Sequence, residues 1–164
     1  MEDTLNDGND NASKLSSQIK QEILKKITPF FSDHPRFSDV DHLLRSSLDD
    51  NLIVIEPEIF RTLLARLPEG TPPYIGCSSI LKLGQPDQAL GELSSGLTEQ
   101  NKLADCRYLL MFTDGGEGLS LNEIIEMNEA LSKLTPEGAE IFFGASINSS
   151  LAKDEMQVLV LATV

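Results

Sequence analysis

Apolar positions in the last third of the chain alternate between two periods, and in order they predict strand, helix, strand, strand. Arg107–Thr113, Ala139–Ser146 and Met156–Thr163 are short runs rich in aliphatic and aromatic residues, the composition of strands. Between the first two, Leu119–Leu134 carries Leu121, Ile124, Ile125, Leu131 and Leu134 at a helical spacing. One face is therefore apolar and needs a sheet to lie on. Asp114-Gly115-Gly116 closes the first strand, and Ser120 with Glu123 three residues on reads as a capping box. Leu119 before the cap is placed to pack on Ile124 as a hydrophobic staple, and Thr135-Pro136-Glu137-Gly138 stops the helix.

Upstream the same two periods continue. Tyr74–Leu83 has strand character, and Pro86 opens a helix carrying Ala89, Leu90, Leu93 and Leu97, with its end marked by Gly96 and the polar run after Thr98. From Tyr74 onward the order is β-α-β-α-β-β. It predicts an α/β (α+β) fold: a mixed sheet of about four strands with two helices on one face, the last two strands pairing as a hairpin. Before it, Asn51–Ile55 reads as a short strand or extended link, and Pro57 starts a helix with Ile59, Phe60, Leu63, Leu64 and Leu67 inward. Pro68-Glu69-Gly70-Thr71-Pro72-Pro73 is a break. Two N-terminal helices precede this domain. Ser38 caps one that runs through Leu48 and buries Val40, Leu43 and Leu44. The other starts at Ser13 with the stripe Leu15, Ile19, Ile23 and Ile27, and Pro29 ends or kinks it. Residues 1–12 hold Glu2, Asp3, Asp7 and Asp10 and almost nothing to bury, so they read as a disordered acidic tail. The organisation predicted is tail 1–12, helical segment 13–50 and domain 51–164.

Length and charge narrow the function. A chain of 164 residues suits one domain with a real core. Its 13 Lys and Arg stand against 26 Asp and Glu, and a net charge of −13 argues against nucleic acid or anionic lipid and for a basic protein surface as partner. Cys77 and Cys106 lie in apolar contexts with no second Cys or His nearby, so neither a disulfide framework nor a zinc site is expected. A reducing, cytoplasmic setting is the default expectation. No signal peptide and no run of membrane-spanning length is expected.

Candidate chemistry is sparse. Gly115, Gly116 and Gly118 follow a strand and precede a helix, which is where a phosphate can sit, but Asp114 and Glu117 would repel it; the expected role is a tight turn with positive φ. Cys77 has no motif-spaced base and is expected to be a buried thiol rather than a nucleophile. His34 and His42 flank Pro35 at no ligand spacing, and Asp49-Asp50, Asp39 with Asp41, and Asp154-Glu155 are most simply turn and cap residues. No metal and no cofactor is expected.

Several of these runs resemble a known family. Ile141-Phe142-Phe143-Gly144-Ala145-Ser146-Ile147, then Ser150-Leu151, then Val158-Leu159-Val160-Leu161-Ala162-Thr163 is similar to the carboxy-terminal domain of the bacterial tubulin homologue FtsZ. Phe112-Thr113-Asp114-Gly115-Gly116 with Leu119-Ser120-Leu121-Asn122-Glu123 resembles the Gly-Gly loop and helix start that precede it. The resemblance covers 105–163, more loosely 51–104, and nothing before residue 50. It implies the FtsZ carboxy-terminal-domain fold without the GTP-binding domain, since no G-G-G-T-G or Walker-type run exists here. It also implies a position for the family's Asn-x-Asp-x-x-Asp catalytic stretch. Val54 stands in place of the asparagine, Glu56 of the first aspartate and Ile59 of the second. A hydrocarbon cannot position water beside phosphate and metal, so the stretch is expected to be catalytically dead and the protein not an enzyme.

Together, the resemblance and the missing chemistry predict a non-catalytic, cytoplasmic interaction protein that caps or regulates a division-type filament, or serves another protein assembly. The candidate interface is Leu52, Val54, Ile55, Glu56, Glu58 and Ile59. No tail beyond the last strand is expected to recruit a membrane tether. Leu15, Ile19, Ile23 and Ile27 either cover the chain's own sheet or form a partner-docking or homodimer helix. The alternatives are a small acidic secretion-type chaperone and a metabolite-binding or enzymatic α/β domain.

Overall fold

The computed structural model describes residues 17–49, 51–94 and 103–164, so the acidic tail, Leu15, Gly96 and Leu97 lie outside the described residues. Helix α1 occupies residues 17–27, and Pro29 falls in the 3-10 turn Thr28–Phe30 that ends it. Then come α2 Phe37–Ser47, α3 Pro57–Arg66, β1 Tyr74–Cys77, β2 Leu81–Lys82, α4 Pro86–Leu93, β3 Tyr108–Gly115, α5 Leu121–Lys133, β4 Glu140–Ile147 and β5 Glu155–Thr163. Pro57 and Pro86 each occupy a first helical turn, where a missing N–H costs nothing. Ser38 does not cap α2: Arg36 holds the cap position without a side-chain bond, and Ser38 lies inside the first turn.

The strand order is β1-β5-β3-β4, with β2 also on β5. β3 and β4 are parallel, while β5 is antiparallel to β1, β2 and β3. The expected β4–β5 hairpin does not form. Instead β5 returns across the end of β3 and inserts between β3 and β1. Its composition accounts for this: every residue from Met156 to Thr163 is buried, which only an interior strand covered on both faces can satisfy. β1 and β2 line one side of β5 as a single interrupted strand. At the break, Ser78 keeps contact by giving its N–H to Val158 O at 2.9 Å and accepting Val158 N–H on Oγ at 2.9 Å.

Period-two alternation sends the sheet's side chains into two layers. Ile75, Cys77, Tyr108, Leu110, Phe112, Leu159 and Leu161 pack on one side with residues of α1, α2 and α3. Tyr74, Leu109, Met111, Val158, Val160 and Ala162 pack on the other with α4 and α5. The sheet is therefore covered on both faces, two helices on the one predicted and three on the other. Ile23 and Ile27 are wholly buried in the first layer and Ile19 packs against it, so these three cover the chain's own sheet and are not free for a partner. The packing is continuous across residue 50: α1 and α2 share a core with the strands. Among the described residues no helix is long and apolar enough to cross a membrane.

Candidate functional site

The stretch before α3 forms an outer rim of the sheet. Ile53 gives its N–H to Ala145 O at 3.1 Å and accepts Ala145 N–H at 2.9 Å, an isolated antiparallel bridge on the free side of β4. Gly144 makes the approach possible, since a Cβ there would meet the Ile55 side chain at 2.7 Å and Ile53 O at 3.0 Å. Ile55 is 2 % exposed in the core, and Ile59 packs against the same core. These two are lost from the expected interface, because inward anchors are what hold the rim in place. Leu52 and Val54 point out, 66 % and 47 % exposed. Glu56 and Glu58 are exposed, Glu58 bonding Arg61 at 3.1 Å. Ile147, two residues beyond Ala145 on β4, is exposed as well.

Beside the rim is a polar hub that sequence reasoning treated only as a strand end. Asp114, buried at the end of β3, accepts Ser146 Oγ–H at 2.6 Å and Asn148 Nδ2–H at 2.8 Å, and His42 Nε2 of α2 lies 3.6 Å from it. One carboxylate thus ties β3, β4 and the chain after β4 together, with α2 alongside. The arrangement is not a nucleophile relay, because the serine donates to the aspartate and not to the histidine. A signal was available: Asp114 ends an apolar strand, and Ser146 is its partner in parallel register.

The glycine loop is also structural, though not for the expected reason. Gly115, Gly116 and Gly118 have no positive φ. They are glycines because other parts of the chain crowd them: a Cβ on Gly116 would run into Ala152 O, and one on Gly118 would meet Lys153 O at 2.5 Å. Gly116 N–H donates to Glu155 O and Gly118 N–H to Lys153 O, each at 2.9 Å, so these amides are engaged and do not face a phosphate. The Ser120 cap forms at 3.4 Å, and Leu119 packs with Ile124. The capping box is only half made, since Glu123 accepts Gly84 N–H at 2.9 Å instead and ties α5 to the turn after β2.

Both cysteines are free and buried. Burial, reinforced by the nearby Asp39 charge, pushes the Cys77 thiol up to about 12, and burial pushes Cys106 up to about 11. Neither is a thiolate near neutrality. Among the described residues no group of His, Cys, Asp and Glu is set to hold a metal. A groove of about 590 Å³ between α1, α3 and the turn after α3 has Phe30 and Leu64 in its wall. Its charges are paired internally, Glu22 with Lys26 at 3.0 Å and with Arg61 at 3.6 Å.

The same fold occurs in solved structures of FtsZ and CetZ. FtsZ of M. jannaschii, solved as an empty dimer, superposes with a TM-score of 0.59 at 19% identity, over 82% of this chain and 43% of that one. The fold is FtsZ-like. A point variant of the M. jannaschii protein gives 0.57 at 20% identity over 82% and 44%, and CetZ from Methanosaeta thermophila gives 0.55 at 18% over 78% and 35%. The chain thus spans less than half the length of each. No protein-family model and no curated protein matches it by sequence.

Proposed function

We propose that this FtsZ-like domain is a non-catalytic interaction module that caps or regulates a division-type filament through the rim before α3. The observation that carries the reading is the outward display of Leu52 and Val54, 66 % and 47 % exposed, on a stretch pinned by Ile53 and Ile55. In the family resemblance this stretch faces the next subunit with polar catalytic groups. Here Val54 and Ile59 occupy two of those places, exchanging water-positioning chemistry for apolar surface and anchoring. Each apolar side chain buried on docking contributes on the order of 1 kcal/mol. The net charge of −13 favours a basic surface on the other side.

The test is co-sedimentation with GTP-assembled FtsZ, comparing the native chain with Val54→Lys. Val54 is half exposed, so the substitution should leave the stability within about 0.5 kcal/mol of native. It should weaken co-sedimentation by about tenfold or more, because it buries an unpaired charge at the contact. Unchanged co-sedimentation removes the rim from the functional surface. No co-sedimentation of the native chain removes the filament as partner.

A further inference from the structure

We infer that the open edge of β4 is a further interface, separate from the rim before α3, where residues 140–143 take an added β-strand: a short extended segment, apolar at alternate positions and ended by Lys or Arg. β4 is a regular strand along its whole length, in parallel register with β3, so the backbone groups of successive residues alternate between its two sides. Two fixed points set which residues face which way. Glu140 N–H donates to Arg107 O, toward β3, while Ala145 N–H and C=O both engage Ile53 on the other side. Stepping by two from either point, Phe142 and Gly144 face β3, and Ile141 and Phe143 face away from the sheet. Among the described residues no hydrogen bond reaches the backbone of Ile141 or Phe143 from that side. An unpaired row of this kind is a template for another strand.

The other edge of the sheet is closed. All of β1 is buried, and since Ser78 N–H turns toward β5, Cys77 faces outward, where its C=O accepts Arg36 Nη1–H. The first four residues of β4 are by contrast exposed or half-buried. The flank of α5 above them is apolar. α4 packs on β1 and β5 and α5 on β4, and Glu123 bonds Gly84 in the turn before α4. Two residues turn a helix by about 200°, so Leu121 and Ile125 lie on the flank away from α4, on the side of the open edge, and both are exposed. A paired strand sets alternate side chains on this face beside Ile141 and Phe143, where apolar ones cover Leu121 and Ile125; a helix has no free backbone groups to offer the edge. Because Ile53 already occupies Ala145, the opening is roughly 13 Å long. Charge selects the ends. From Leu121 to Ile147 the chain holds five glutamates and one lysine, and Glu126, Glu129, Glu137 and Glu140 are exposed with no ion-pair partner among the described residues. A second copy of this chain would bring the same acids against them, so a basic-ended strand is favoured over self-pairing.

The probe is a synthetic peptide of alternating valine and threonine with lysines at both ends, titrated into the full chain while amide hydrogen exchange is followed residue by residue. Exchange at Ile141 and Phe143 should slow by about tenfold or more at saturation, with Phe142 and Gly144 unchanged because their N–H groups already face β3. The same peptide methylated on every backbone nitrogen should give no protection, and a glutamate-ended version should bind at least about fivefold more weakly. Ile125→Lys, on the exposed flank, should weaken the lysine-ended peptide by about fivefold or more with an unchanged melt, whereas Val54→Lys, at the rim, should leave its binding unaltered. No protection at Ile141 and Phe143, or equal protection by the methylated peptide, overturns strand addition at β4. Undiminished binding to Ile125→Lys overturns the α5 flank as its seat, and weakened binding to Val54→Lys overturns the separation from the rim. Self-association of the native chain with the same two amides protected overturns the choice of partner.

Discussion

A methyl group on Gly116 would collide with the carbonyl of Ala152, and backbone cannot step aside as a side chain can. Gly116→Ala should therefore cost about 2–4 kcal/mol in urea unfolding, the range of overpacked and strained sites. Gly91, inside α4 with open space around it, is the control: Gly91→Ala should stabilise by about 0.5–1 kcal/mol through chain entropy. The glycine pattern was legible in the sequence as a loop. Its cause was not, because the crossing backbone comes from residues 152–153, far along the chain. Cys77 gives a pH prediction. An unfolded thiol titrates near 9.0 and the buried one near 12, so between those values the folded chain holds a proton that the unfolded chain has released. Stability from this group is complete below pH 9.0 and is lost as pH rises through that window. The melting temperature should fall as pH rises from about 8 to about 10.5, less steeply in Cys77→Ala; parallel slopes would assign the fall to other groups.

Strands and helices were mostly legible because burial imposes a period on each, but the order of strands was not. Neighbours in sequence suggested that β4 and β5 pair, whereas the decisive signal was composition: β5 is apolar at consecutive positions and β4 is half exposed along most of its length. The consequence is a graded response. Val158→Ala and Val160→Ala, fully buried in the interior strand, should cost about 2–3 kcal/mol each, and Ile141→Ala and Phe143→Ala at the edge about 1–2 kcal/mol. Equal losses in chemical denaturation would contradict the order. At the candidate site, Leu52 and Val54 stay exposed while Ile53 and Ile55 pack on opposite faces of the sheet edge. The sequence displayed all four as equally apolar, and the Ala145 bridge at Ile53 with the packing of Ile55 over Gly144 distinguishes them. Asp114→Ala should cost about 2–3 kcal/mol, since it strands the Ser146 and Asn148 donors at a buried strand end.

Over the whole molecule, α1 and α2 are as much part of the fold as α5. Lys25 and Lys26 are exposed on α1, but their neighbours Ile23 and Ile27 are wholly buried, so trypsin should cut there only after local unfolding. Ile27→Asp should expose both sites and abolish a cooperative melt. The absence of a phosphate-binding glycine run from these 164 residues leads to one more expectation: calorimetry with GTP should give no saturable heat, and tight binding would overturn the non-catalytic reading. The interior place of β5 also has a consequence in time. Four of the five strands are made before it, yet β1 shares no ladder with β3 or β4 and is joined to them only through β5. On a ribosome the nascent chain can wind its helices and pair β3 with β4, but it cannot close its sheet while β5 is still in the tunnel. Until β5 emerges, the apolar flank of β3 stays open, and a chaperone that guards unpaired strands has its longest opportunity then.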